Sequence, residues 1–272
     1  MRHPSGRPFA RWAARAEFDG TVAWALGVRF WQLLAGPITA LLIATRFTEA
    51  EQDYFYTLTG LLGLDALCRL GLSEALVALT SHAFASRTEP GDEGDQRLSG
   101  LIRFSARWAL GSAAAFAVGV GLFGLWSLSD SPASATGDGE HLGAVVHWRG
   151  AWWTAALCTA GSVAVAPIFA VLTGCGRIGP VTRTQTLAAM AGNLGAWSLM
   201  LLDGSLWAAA AACAARLCVE GVLIARSWGV LRSEASGDAA GFRWREAVWP
   251  MQWRAAVQSS AAALAATGDR MV

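Results

Sequence analysis

The 272-residue chain is 54% hydrophobic and only 15% charged, with a mean hydropathy of +0.39, whereas soluble domains carry about a quarter charged residues. Too few polar side chains remain to cover a soluble globule of this length, and the same figures exclude disorder and a disulfide scaffold. A net charge of +1 lends no support to nucleic-acid binding, so the expected class is an all-α, polytopic membrane helix bundle.

In chain order, residues 1–20 form a basic arm, in which Phe9, Trp12, Ala13 and Ala16 share one helical face and Arg7, Arg11 and Arg15 another. That pattern suits a helix lying on an anionic leaflet, and equally a solvated tail that sets topology. The arm is no secretory signal, because the apolar run after it is too long and lacks a small-residue cleavage site. The first span is therefore expected to stay in the mature protein.

Apolar stretches at about 22–45, 55–79, 104–127, 151–173, 182–202 and 205–225 are each long enough for one crossing of roughly 30 Å of hydrocarbon. They make a six-helix bundle over 21–226, followed by a connector and an incomplete seventh helix over 227–272. Ser86–Gln96 and Ser127–Gly150 read as flexible loops. Asp203-Gly204 leaves room only for a tight turn between antiparallel neighbours.

All 21 basic residues are arginine. Sixteen of them fall in the arm, in the segment after span two (Arg87, Arg97, Arg103, Arg107), between spans four and five (Arg177, Arg183) and beyond span six, including Arg226 and Arg232, while Arg29, Arg69 and Arg216 lie inside spans. The alternate loops hold only Arg46 and Arg149, so the positive-inside rule places the N-terminus in the cytoplasm. Trp24, Trp126, Trp148, Trp152, Trp153, Trp207 and Trp228 lie near span ends, as interfacial belts require.

Ionisable groups at depth are confined to three spans: Arg29 with Gln32 in span one, Asp65, Arg69 and Glu74 in span two, and Arg216 and Glu220 in span six. Each costs roughly 2.5–3.5 kcal/mol at a helix centre on the insertion scale. Asp65–Arg69 and Arg216–Glu220 are i,i+4 pairs that can neutralise themselves and act only as packing devices. Alternatively, the set lines a water-filled cavity for an anionic substrate. Arg29 has no acid on its own helix, and Glu74 lies at a similar depth on the next, so a pair between helices is possible.

Pro37 and Pro167 remove backbone hydrogen bonds inside spans one and four and are hinge candidates. Gln185 and Asn193 are expected to hydrogen-bond between helices. Cys68, Cys158, Cys175, Cys213 and Cys218 read as small buried hydrophobes. His141, His147 and Glu140 match no metal spacing, and no GxSxG, P-loop, HExxH or Rossmann fingerprint stands in a usable context. Neither an enzyme, a cofactor nor a metal is expected.

The run Val28-Arg29-Phe30-Trp31-Gln32-Leu33-Leu34-Ala35-Gly36-Pro37 resembles the start of polysaccharide (O-antigen-type) flippases of the multidrug/oligosaccharidyl-lipid/polysaccharide (MATE/MOP) superfamily. So does Glu51-Gln52-Asp53-Tyr54, placed in an outer loop, although Asp53 stands where glycine is usual. Gly174-Cys175-Gly176-Arg177 and Trp249-Pro250-Met251-Gln252-Trp253-Arg254 extend the likeness, which covers about residues 25–258.

The resemblance implies the N-terminal lobe of a carrier with two six-helix lobes around a central cavity. Such a carrier turns an undecaprenyl-diphosphate-linked oligosaccharide across the bacterial inner membrane for polysaccharide and lipopolysaccharide biosynthesis. Cavity arginines would meet the lipid diphosphate, although no motif carries a particular arginine onto Arg29 or Arg69. With one lobe in hand, the expectation is a truncated carrier, or a half that pairs with a second copy or a complementary partner. The alternative is a non-transporting assembly subunit of an envelope polysaccharide system. A membrane glycosyl-transfer or polymerase enzyme ranks last, because the outer loop is short and bland.

Overall fold

A computed structural model describes residues 20–66, 71–86, 93–129, 148–234 and 248–268. Eight helices lie within them: α1 (Gly20–Arg46), α2 (Glu49–Leu62), α3 (Leu72–Ala85), α4 (Glu93–Ser129), α5 (Trp148–Gly174), α6 (Ile178–Leu201), α7 (Trp207–Glu234) and α8 (Trp249–Gly268). The basic arm, Arg69, Cys68, the loop holding Glu140, His141 and His147, and most of the connector before Trp249 lie outside the described residues.

The described residues form an all-helical bundle of the membrane kind. Four helices are long and apolar enough to cross a bilayer, over Val22–Arg46, Gly94–Leu128, Trp148–Gly174 and Trp207–Gly229. α5 is the hub, with 72% of its apolar window buried against 11% for α1. The large apolar side chains left outside include aliphatic ones such as Leu33, Leu41, Leu110 and Val118, together with aromatic ones such as Phe30 and Phe123. Outside water they face hydrocarbon, so their exposure costs nothing there.

Span two, expected as one helix over 55–79, is instead interrupted. α2 and α3 are 14 residues each, about 21 Å at 1.5 Å per residue and too short to cross singly. Gly63 ends α2. Gly71 precedes α3 at φ +64°, and a Cβ there would strike the backbone of Ala255 in α8. Only glycine meets both demands.

The other boundaries shift outward. Glu51-Gln52-Asp53-Tyr54 is the opening of α2 rather than an outer loop. α4 begins at Glu93, inside the stretch read as flexible, and its 37 residues extend well beyond 104–127. α8 continues as helix through Ser259 and Ser260 to Gly268. α6 is 24 residues long but is not among the four apolar spans, because Thr182, Arg183, Thr184, Gln185, Thr186 and Asn193 interrupt its apolar surface.

Small residues bring the helices together. α6 and α7 turn back at Asp203-Gly204, where Asp203 adopts φ 55° and Gly204 N–H bonds Leu199 O at 2.7 Å. Along this seam a Cβ on Gly195 would lie 3.2 Å from Ala211 O. α1 and α6 run parallel, tied by Trp197 Nε1–H to Thr39 Oγ1 at 2.9 Å. α4 and α5 are antiparallel, with Trp152 Nε1–H donating to Gly121 O at 3.0 Å.

Trp152 is thus a core residue, with no exposed surface, rather than an interfacial anchor. Trp148 is also buried, stacked on Tyr54. Trp126, Trp207 and Trp228 do stand on the outside. A Cβ on Gly124 would run into the Trp152 indole. Gly124→Ala should therefore lower stability by about 1–3 kcal/mol, read as a lower thermal midpoint in detergent. Gly119→Ala, with nothing within 4 Å, is the control that should leave the midpoint unchanged or raise it, since alanine is the better helix former.

At the opposite end from most arginines, Thr48 and Glu51 form a capping box on α2. Desolvation pushes the Glu51 carboxyl up, but hydrogen bonds from the Ser205 hydroxyl and from the Thr48 N–H and hydroxyl outweigh it and hold its pKa below the ordinary glutamate value. A depressed carboxylate stabilises the fold above its unfolded value, and that contribution is lost as pH falls through the folded value. The thermal midpoint of the wild type should fall in that acidic window. Glu51→Gln should flatten the local slope.

Candidate functional site

A cavity of about 790 Å³ opens between α1, α3, α5, α6 and α7, a volume typical of sites for organic ligands. Three helices supply its charged wall. α1 presents Arg29 and Gln32, three residues apart on one face; α3 presents Ser73 and Glu74 in its first turn; α7 presents Arg216 and Glu220. The neutral wall comes from α5 and α6, through Ser162, Thr173, Thr182, Gln185 and Thr186.

The interruption between α2 and α3 belongs to the same wall, since Ala66 and Gly71 line the cavity too. Non-helical backbone at membrane depth is tolerated where it is buried in protein or faces a water-filled space. α3 accordingly starts at the cavity, and no side chain caps its first turn. The positive end of its backbone dipole therefore lies in the cavity wall, with Glu74 in the same turn.

Arg216 Nε–H donates to Glu220 Oε1 at 2.9 Å. The Glu220 side chain is 4% exposed and that of Arg216 is 48% exposed. Glu220 Oε2 has no hydrogen-bond partner among the described residues. Asp65 lies near enough for its charge to act on Arg216, although it is not part of the cavity lining. Arg29 and Glu74 share the cavity without forming an ion pair among the described residues, leaving the Arg29 guanidinium open to the space.

Five of the seven residues singled out from sequence therefore line one cavity, while Asp65 stands behind it and Arg69 lies outside the described residues. Pro37 sits on the exposed side of an unbroken α1, and Pro167 is buried within an unbroken α5. Gln185 faces the cavity instead of bonding between helices; the hydrogen bonds from α6 to α1 are made by Thr186 and Trp197. Cys158, Cys175 and Cys213 are half-buried and Cys218 is exposed, so none of the four described cysteines is the fully buried residue expected.

Comparison with protein-family models, with curated proteins and with solved structures finds no match. The chemistry of the site stands on its own residues.

Ser162, Thr173, Thr182 and Thr186 carry no sequence signal of their own. Hydroxyls of this kind commonly bond back to the preceding turn of a membrane helix, as Thr173 does to Phe169 O at 2.8 Å. The polar run Thr182–Thr186 is the mark that could have separated α6 from a purely lipid-facing helix. Among the described residues no His, Cys, Asp or Glu group could hold a metal ion. The cavity sets one open guanidinium, one internally neutralised and a helix N-terminus beside the Glu74 carboxylate and a neutral hydrogen-bonding floor, which leaves Arg29 as its place to receive an anion.

Proposed function

We propose that the chain is one lobe of a bacterial inner-membrane flippase whose cavity receives the diphosphate of an undecaprenyl-diphosphate-linked oligosaccharide. In this reading α2 with α3 forms a broken second crossing and α6 the fifth, giving six spans of a MATE/MOP-type lobe with a cytoplasmic N-terminus. The observation that carries the proposal is the meeting of Arg29, Arg216 and the start of α3 in one cavity. Guanidinium groups and helix N-termini both suit diphosphate oxygens. The complementary lobe would cover the outward face of α1, where Leu26, Phe30 and Leu33 stand exposed.

The decisive experiment reconstitutes the full chain in liposomes carrying a polyprenyl-diphosphate oligosaccharide and follows the sugar's accessibility to an added lectin. Accelerated exposure, and saturable binding of a short-chain polyprenyl diphosphate in detergent, support the reading. Binding no tighter than that of the uncharged polyprenol overturns it.

The exposed face of α1 also favours a second reading, a non-transporting assembly subunit of an envelope polysaccharide system. There, substitutions on that face would disrupt a complex, while cavity substitutions would leave polysaccharide output unchanged.

A further inference from the structure

A second cavity, separate from the polar one and independent of the flippase reading, lies between α4, α5 and α7. It is about 280 Å³. Its floor is Ile168 and Val171 of α5 with Leu231 of α7; Val171 is 1% and Leu231 8% exposed. Two arginines from different helices, Arg103 on α4 and Arg232 on α7, border it, and both are exposed. Trp228 stands beside them, 59% exposed.

The slot therefore has an apolar interior and a doubly cationic mouth. It sits at the Arg-rich end of the bundle, where the start of α4 meets the ends of α5 and α7. Tryptophan prefers the headgroup level of a bilayer, so Trp228 marks the depth of that mouth. Basic pockets between membrane helices hold anionic headgroups, and an acyl chain gains by leaving its neighbours only if the pocket packs against it.

We propose that this slot binds one anionic diacyl phospholipid, its phosphate between Arg103 and Arg232 and the upper part of one acyl chain against Ile168, Val171 and Leu231. The charge complementarity selects the occupant: a zwitterionic lipid brings its own cation to a mouth already carrying two. A free anion would leave the apolar interior unfilled.

The test uses the full chain in nanodiscs containing brominated phosphatidylglycerol or brominated phosphatidylcholine, which quench nearby tryptophan. The Trp228 signal is the difference between the wild type and Trp228→Phe, which removes the contribution of the other tryptophans. Wild-type Trp228 should be quenched at a several-fold lower mole fraction of phosphatidylglycerol than of phosphatidylcholine. Arg103→Gln and Arg232→Gln should each weaken that preference about fivefold.

Arg103→Lys with Arg232→Lys retains both charges and should keep most of the preference, so a folding failure of the glutamine variants leaves the question decidable. Equal quenching of the wild type by the two lipids overturns the proposal. Loss of the preference on adding inorganic phosphate also overturns it, assigning the mouth to a free anion.

Discussion

Arg216→Ala should destabilise the bundle by about 1–3 kcal/mol, the cost of leaving a buried acceptor unsatisfied, since Glu220 is buried while the Arg216 side chain is 48% exposed at the cavity. Glu220 is 3% exposed, and its only hydrogen bond among the described residues comes from Arg216. Without the guanidinium, a desolvated carboxylate remains with neither oxygen satisfied. The chain must then protonate it or draw water inward, and both cost free energy. Circular dichroism in detergent micelles should show the thermal midpoint falling by about 5 °C. Arg216→Leu combined with Glu220→Leu should recover most of the loss, since an apolar pair carries no desolvation penalty. A single variant as stable as the wild type would contradict this account of the pair.

Arg29→Ala should have the opposite profile, with an unchanged thermal midpoint and a large functional loss. Its side chain is exposed to the cavity and supports no neighbour. A charge-assisted hydrogen bond contributes about 1.5–3 kcal/mol, so polyprenyl-diphosphate binding should weaken roughly 10- to 100-fold. Arg29→Lys should fall between, because the ammonium keeps the charge and loses the paired donors of the guanidinium. Gln32→Ala, which removes a neutral contact on the same face, should cost much less. Wild-type affinity in Arg29→Ala would remove Arg29 from substrate recognition.

The two variants also show where sequence reasoning reaches. α1, α4, α5 and α7 are legible as long apolar runs because lipid imposes that length and composition directly. The second stretch is not, because hydropathy averaged over 55–79 cannot see Gly71, whose left-handed backbone and contact with Ala255 interrupt the helix. α6 is ambiguous for a related reason: the residues that lower its hydropathy, Thr182 and Gln185 among them, face the cavity. The charged wall was legible because arginine and glutamate at depth are costly enough to stand out. Its hydroxyl floor was not, since Ser and Thr satisfy themselves along a helix at little cost. Trp152 shows the converse error, a residue near a span end that the fold draws into its centre.

The glycine seats of the tryptophans have a mechanical consequence. At one end of the bundle Trp152 and Trp153 of α5 press on Gly124 and Gly121 of α4, while Trp207 of α7 rests on Gly150 of α5. Bulky rings seated on bare backbone resist both sliding and rotation, so the three helices are clamped there. At the other end the same three helices enclose the slot between Arg103 and Arg232. Rods clamped at one end can splay only at the other, and a small tilt at the clamp becomes a larger displacement at the mouth. The trio is built like a pair of tweezers, with the tryptophans as its rivet and the arginines at its tips.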